Sequence, residues 1–283
     1  MKRNIYLKTI PPAEAVARVK ASIDREALIR EETIPSHEAS GRVLAHAVHA
    51  RYSSPTFHSA AMDGYAVNAR STFAAREGHP LTLKAGETCF AVNTGHPMPE
   101  GCDAVIMIEQ VVLDGGSVTI EAPAFPWQHV RRIGEDIVAT ELLFPRNHQL
   151  RPWDVGALLS GGIWDVPVWE RVTVRIIPTG DEVLDFTTHP DPGKGQVVES
   201  NSQMLAALAR ELGCVVERAA PVPDNPEALH QALKDSLDAG RHLTIFCAGS
   251  SAGSKDFTRA TLEKEGEILT HGIAAMPGKP SLL

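Results

Sequence analysis

Apolar residues recur at Val16, Val19, Ile23 and Ala27, with Glu14, Arg18, Lys20 and Asp24 between them. That spacing predicts a helix over residues 13–30. A second short helix or a turn is expected around 40–50, and another short helix over 154–160, entered by Pro152 at its first turn. From 52 to 145 the pattern changes, with short β-type runs interrupted by Gly and Pro. Residues 102–113 predict a strand, Asp114-Gly115-Gly116 a turn, and the alternating Ser117-Val118-Thr119-Ile120-Glu121 the returning strand of a hairpin.

The last third reads differently again. Val172–Ile177 is a β-branched, apolar strand; 202–212 is a helix closed by Gly213; 214–219 is a second strand. Asn225-Pro226-Glu227 opens a helix with a capping Asn, a first-turn Pro and an acid at the positive helix end; that helix runs to Ala239. Residues 242–247 form a third strand and 256–265 a third helix. The β-α-β-α-β-α order predicts a parallel sheet with helices on its faces.

A chain of 283 residues is long enough for two or three domains. Its net charge of -8 argues against non-specific nucleic-acid binding, which needs a basic face. Cys89, Cys102, Cys214 and Cys247 form no CxxC pair, as expected of reduced thiols in a cytoplasmic protein. No secretory h-region follows the basic start, and no apolar run approaches a membrane span. His46 and His49 could share a helix face, but no third ligand is placed near them.

Ligands of open α/β sheets bind beyond the carboxyl ends of the strands. Four segments qualify: Pro178–Glu182, Pro221–Asn225, Ala248–Asp256, and Met276–Pro280 after the last apolar segment. In the third, Gly249 and Gly253 bracket Ser250, Ser251 and Ala252, which makes either a plain βα turn or an anion cradle. Asp181, Glu182, Asp224 and Asp256 would supply carboxylates for a hydrated Mg²⁺ at this edge; helix capping is the other reading of Asp224 and Asp256. Lys279, between Gly278 and Pro280, is either a rigidly presented cation or an exposed turn lysine. Upstream, Ser59–Val67 and Arg131–Ile137 place acids at tight turns.

Several of these segments, in this order, resemble the molybdopterin molybdenumtransferase family (MoeA and the E domain of gephyrin). They are Ala61–Val67, Thr94–Val105, Arg132–Asp136, Pro178–Glu182, Asn201-Ser202, Gly249–Thr258 and Pro277–Pro280. The resemblance covers essentially the whole chain. It implies a multidomain α/β fold: an elongated mixed domain (1–51 with 146–171), an inserted β-rich domain (52–145), and a three-layer molybdopterin-binding domain with a mostly parallel sheet (172–283). It implies insertion of molybdate into the dithiolene of adenylylated molybdopterin with release of AMP, assisted by Mg²⁺, in a homodimer that can also contact a molybdopterin adenylyltransferase.

The residues implied as catalytic are Asp63, Asp136, Asp181, Glu182, Asp256 and Lys279, with Asp63 and Asp136 coming from the other domains. Those implied to hold the pterin are Thr179, Gly180, Ser200, Asn201, Gly249, Ser250, Ser251, Gly253, Pro277, Gly278 and Pro280, and the metal set is Asp181, Glu182, Asp224 and Asp256. The chain departs from the family pattern at Ala248-Gly249, where Gly-Gly is usual, and at Ala275-Met276, where a lysine is usual. It also ends three residues after Pro280, without the family's C-terminal β domain. Two other readings stay open: a molybdopterin adenylyltransferase, which resembles the α/β domain alone, and a pterin-binding scaffold of impaired activity.

Overall fold

The computed structural model describes residues 8–28, 30–247 and 257–283, with the side chains of Arg25 and Glu26 excepted. The chain divides into two compact units, one of Met1–Glu31 with Trp169–Leu283 and the other of Glu32–Val168.

The N-terminal helical pattern resolves into α1 (Pro12–Ser22) and α2 (Arg25–Leu28) rather than one helix. Ile23 is extended, and the Asp24 carboxylate accepts the Ala27 N–H at 3.2 Å, so a capping side chain restarts the helix.

The second unit is built from short strands. They are β1 (Glu31–Pro35), β2 (Val48–His49), β3 (Ser59–Ala60), β4 (Gly64–Val67), β5 (Leu81–Lys84), β6 (Cys89–Val92), β7 (Ala104–Met107), β8 (Val111–Asp114), β9 (Ser117–Ile120), β10 (Val130–Arg131), β11 (Leu142–Phe144) and β12 (Asp165–Trp169). They form two three-stranded sheets, β6-β4-β7 and β5-β9-β8, and the pairs β1-β12, β10-β3 and β11-β2. The predicted hairpin is β8–β9, with Asp114 opposite Ser117 and both Gly115 and Gly116 at positive φ, the geometry a two-residue turn requires.

The strand expected over 102–113 is broken at Ile108–Gln110 by a 3₁₀ turn. That turn carries the chain out of the β4 sheet and into the β9 sheet, so a continuous strand would serve neither. Val67, Leu83, Ile106, Val118 and Ile120 bury their alternate positions in a common core. Residues 40–47 are turns and bridges, so His46 and His49 do not share a helix.

The helix α3 (Pro152–Ser160) starts as its proline predicts and buries Leu158 against Leu44, Leu150 and Val168. Asp154 closes its first turn: one carboxylate oxygen accepts the Arg151 N–H at 2.9 Å and lies 2.7 Å from His148 Nε2. Burial pushes this carboxyl up, but the Arg151 N–H and His148 outweigh it and hold it below the usual carboxylate range. The stabilisation is therefore present above the unfolded carboxylate pKa and lost as pH falls through the lowered folded value. Asp154→Asn should cost about 1–2 kcal/mol at neutral pH and flatten the acid limb of a tryptophan-detected melting profile. An acid limb identical to the wild type would show that Asp154 is not its source.

In the first unit, β13 (Thr173–Pro178) is followed along the chain by β14 (Val183–Leu184) and β15 (Val197–Val198), which pair with each other in parallel. Then come α4 (Asn201–Glu211), β16 (Val215–Arg218), α5 (Pro226–Asp238), β17 (Leu243–Cys247) and α6 (Phe257–Glu265). The sheet order is β16-β13-β17, all parallel, with β13 in the middle. One face packs Val174 and Ile176 against Ala206 of α4. The Asn225 side chain caps α5 by accepting the Ala228 N–H at 2.8 Å.

The segment ending at Met276 is not a strand of this sheet. Ile273 bridges Ile10, His271 bridges Leu282, and the Ile273 N–H donates to Lys279 O at 2.9 Å. Lys279 and its prolines thus lie on a terminal turn between these bridged segments rather than on a loop between a strand and a helix. No helix among the described residues is long and apolar enough to cross a membrane.

Candidate functional site

The carboxyl end of the parallel sheet is where two of the predicted loops meet. Past β13, the Thr179 N–H donates to Cys247 O at 2.9 Å, tying the loop to the end of β17. The Gly180 N–H donates to Val222 O at 3.1 Å, and Val222 N–H returns to Pro178 O at 2.9 Å, tying it to the loop after β16. Asp181 then accepts the Asp224 N–H on Oδ1 at 3.1 Å. Thr179, Gly180, Asp181 and Asp224, expected at one edge from two different loops, are one bonded set. Asp181 has a bracing role in it as well as an exposed carboxylate.

Gly180 has φ +137, a conformation that favours glycine. A Cβ there would come within 2.8 Å of Val183 Cγ2 and 3.0 Å of Glu182 Oε1. The space it leaves is taken by the Glu182 carboxylate, which folds back over the turn.

A cavity of about 220 Å³ opens here, lined by Glu182, Glu199, Ser200, Asn201 and Cys247 among others. Glu182, Ser200 and Asn201 were expected from the sequence; Glu199 and Cys247 were not. Glu199 is only 6% exposed, and its two carboxylate oxygens accept the N–H and the hydroxyl of Ser202 at 2.7 and 2.5 Å. It thereby caps the first turn of α4, a task the side chain of Ser200 leaves undone. The available clue was an acid directly before Ser200-Asn201 and three residues ahead of Ser202. Burial, with Glu199 nearby, pushes the Cys247 thiol up to about 11.

The second unit gathers its own candidates. The β3–β10 pair places Ser59 opposite Arg131. Gly95 N–H donates to Ala60 O and Ala60 N–H to His96 O, so the segments around 60, 95 and 131 are sewn together. Asp63 accepts the N–H and the hydroxyl of Thr94 at 2.7 and 2.9 Å, and these bonds hold its carboxyl below the usual range. Asp136 is paired with Arg131 at 2.7 Å, which also binds Glu135 at 2.7 Å. Thr94 lies in one of the family-like motifs without being a site candidate by sequence, because its partner Asp63 lies 31 residues away.

Gly249, Ser250, Ser251, Gly253 and Asp256 lie outside the described residues. Pro277, Gly278, Lys279 and Pro280 lie on the terminal turn, where Lys279 is exposed. Among the described residues no group of three or more His, Cys, Asp or Glu side chains could hold a metal ion. The metal set inferred from the sequence includes Asp256 and so cannot be assembled from them.

Residues 10–162 match the family described as the MoeA N-terminal region (domain I and II), and residues 175–283 match a probable molybdopterin binding domain. The chain belongs to the MoeA family. It is 30% identical to a putative molybdopterin biosynthesis protein of Methanocaldococcus jannaschii, over 99% of this chain and 73% of that one. The molybdopterin molybdenumtransferase of Synechococcus elongatus is 31% identical over 89% of this chain and 66% of its own length. That of Haemophilus influenzae is 33% identical over 88% and 64%. The chain thus spans about two thirds of the length of these MoeA relatives. A crystal structure of the molybdopterin biosynthesis MoeA protein of Pyrococcus horikoshii superposes with a TM-score of 0.79 at 28% identity, covering 97% of this chain and 71% of that one. Every described residue that lines the cavity falls within the matched molybdopterin-binding segment.

Proposed function

We propose that this chain is a molybdopterin molybdenumtransferase, inserting molybdate into the dithiolene of adenylylated molybdopterin with release of AMP. The observation that carries the reading is the cavity at the carboxyl end of the parallel sheet, where Glu182, Ser200 and Asn201 converge. It is supported by the names of the relatives and by the presence, in the same chain, of the N-terminal region that an adenylyltransferase resembling the α/β domain alone does not need.

In this reading Thr179, Gly180, Ser200 and Asn201 hold the pterin end of the substrate. Gly249, Ser250, Ser251 and Gly253 cradle the pyrophosphate, and Pro277, Gly278 and Pro280 present Lys279. Asp63 and Asp136 are the catalytic candidates of the second unit.

The donor set fits Mg²⁺. Asp181 and Glu182 are adjacent, exposed carboxylates, and Mg²⁺ takes one or two such ligands alongside water and phosphate oxygens. Asp224 and Asp256 are the further candidates. Bound there, the ion would offset charge on the leaving phosphate. Cys247 stays a protonated thiol at neutral pH, because burial and the nearby Glu199 disfavour the thiolate. It therefore offers no thiolate to compete with the dithiolene for molybdenum. The protein acts in the cytoplasm as a homodimer and takes its substrate from a molybdopterin adenylyltransferase.

AMP release from adenylylated molybdopterin, with Mg²⁺ and with or without molybdate, tests this. Molybdate-stimulated release is expected. Pterin binding with no release under either condition would make the chain a binding module instead.

A further inference from the structure

Two arms border the cavity. One leaves β13 through Glu182 and β14 to Asp185; the other runs from β15 through Glu199 into α4. They pair with each other over two residues each, Val183 with Val197 and Leu184 with Val198. So short a pairing is marginal without support from elsewhere.

The support comes from Arg218, the last residue of β16. Its side chain is 13% exposed and reaches both arms at once. Nη2 donates to Asp185 Oδ1 at 3.1 Å and lies 3.6 Å from Glu199 Oε2; Nε donates to the Ser202 hydroxyl at 3.0 Å. The guanidinium also sits 4.5 Å from the centroid of the Phe186 ring. Asp185 in turn accepts the N–H and hydroxyl of Thr187, fixing the 3₁₀ turn that follows β14. Arg218 is not among the described residues that line the cavity. A planar guanidinium can serve two carboxylates, a hydroxyl and a ring together; an ammonium cannot.

We propose that Arg218 is a positioning residue for the pterin site: with Glu199 and Asp185 it locks the two arms in the spacing that the ligand requires. This rests on the functional reading above. Arms held by this network lose little to ordering when a ligand binds.

The test uses the full chain in four forms: wild type, Arg218→Met, Arg218→Lys and, as a control, Leu229→Ala. Leu229 is buried in α5, which is part of neither arm, and it makes none of the bonds of the Arg218 network, so its truncation lowers the melting temperature without removing a member of that network. Affinity for adenylylated molybdopterin is measured by titration well below every melting temperature, and amide exchange is followed over residues 183–202. Arg218→Met is expected to weaken binding at least tenfold and to raise exchange at 183–186 and 197–202. Arg218→Lys should recover part of both, and Leu229→Ala should change neither. Binding within twofold of wild type in Arg218→Met overturns the proposal, as does an equal loss in Leu229→Ala. A wild-type chain that does not bind the pterin overturns the functional reading instead. The exchange data then decide the network alone: unchanged protection of both arms in Arg218→Met would dismiss it.

Discussion

Gly64→Ala is expected to destabilise the second unit by about 3 kcal/mol or more and to lower its melting temperature by roughly 10 °C. Gly64 lies in the central strand of the β6-β4-β7 sheet, opposite Val92 on one side and Met107 on the other. A Cβ there would fall 2.0 Å from Ile106 O and 2.9 Å from Ile106 C. Both obstacles are backbone, so no rotamer change relieves the overlap. Either β4 or β7 must shift and give up ladder bonds, and Ile106 is part of the buried core beside Val67 and Ile120. Tryptophan fluorescence is a suitable probe, since Trp127, Trp153 and Trp164 all belong to this unit. The same exchange at Gly156, inside α3 with nothing within 4 Å of its Cβ position, should stabilise by about 0.5–1 kcal/mol. Equal midpoints for the two variants would mean that the close approach at Gly64 is absent in solution.

Glu182→Ala is expected to reduce AMP release roughly a hundredfold or more while moving stability by less than about 0.5 kcal/mol. The side chain is exposed, lines the cavity, and stands beside Asp181, the other carboxylate that the proposed reading assigns to Mg²⁺. Gly180→Ala is the informative companion. It keeps the carboxylate but fills the space that Glu182 Oε1 occupies and strains a φ of +137, so turnover and melting temperature should fall together. If Glu182→Ala lost stability in proportion to turnover, the residue would be a structural brace. If it lost neither, the site would lie elsewhere.

The elements that could be read from the sequence are those whose signals are local. Asn225-Pro226-Glu227 starts α5 because a cap, a fixed φ and a charge at the helix end all act within one turn. Gly115-Gly116 makes the hairpin because only positive φ at both positions matches the twist of the paired strands. The strands at 173–178, 215–218 and 243–247 alternate with helices, and that order is what declares a parallel sheet. By the carboxyl-end rule they also placed Thr179, Gly180, Asp181 and Asp224 near one another before any distance was known.

Local signals failed where two parts of the chain had to agree. Residues 13–30 carry one helical stripe, yet Asp24 interrupts it by capping a second turn. Residues 102–113 carry one apolar run, yet it serves two sheets and breaks between them. The last apolar segment, before Met276, carries no local sign of its partners, and its bridges go to Ile10 and Leu282.

The amino-acid sequence alone determined the strand–helix order of the α/β unit, the glycine turns and the ordered motifs that mark the MoeA family. Each depends on backbone preference or on residue types a few positions apart. Only the tertiary structure decided that Glu199, Arg218 and Asp185 form one partly buried network. Those three are separated by up to 33 residues, and a charged residue in a sequence is indistinguishable from a solvated one until folding removes its water. The same is true of Asp63 with Thr94, and of the close approach that makes Gly64 indispensable. Both arise from chain segments that meet only when the sheets have formed.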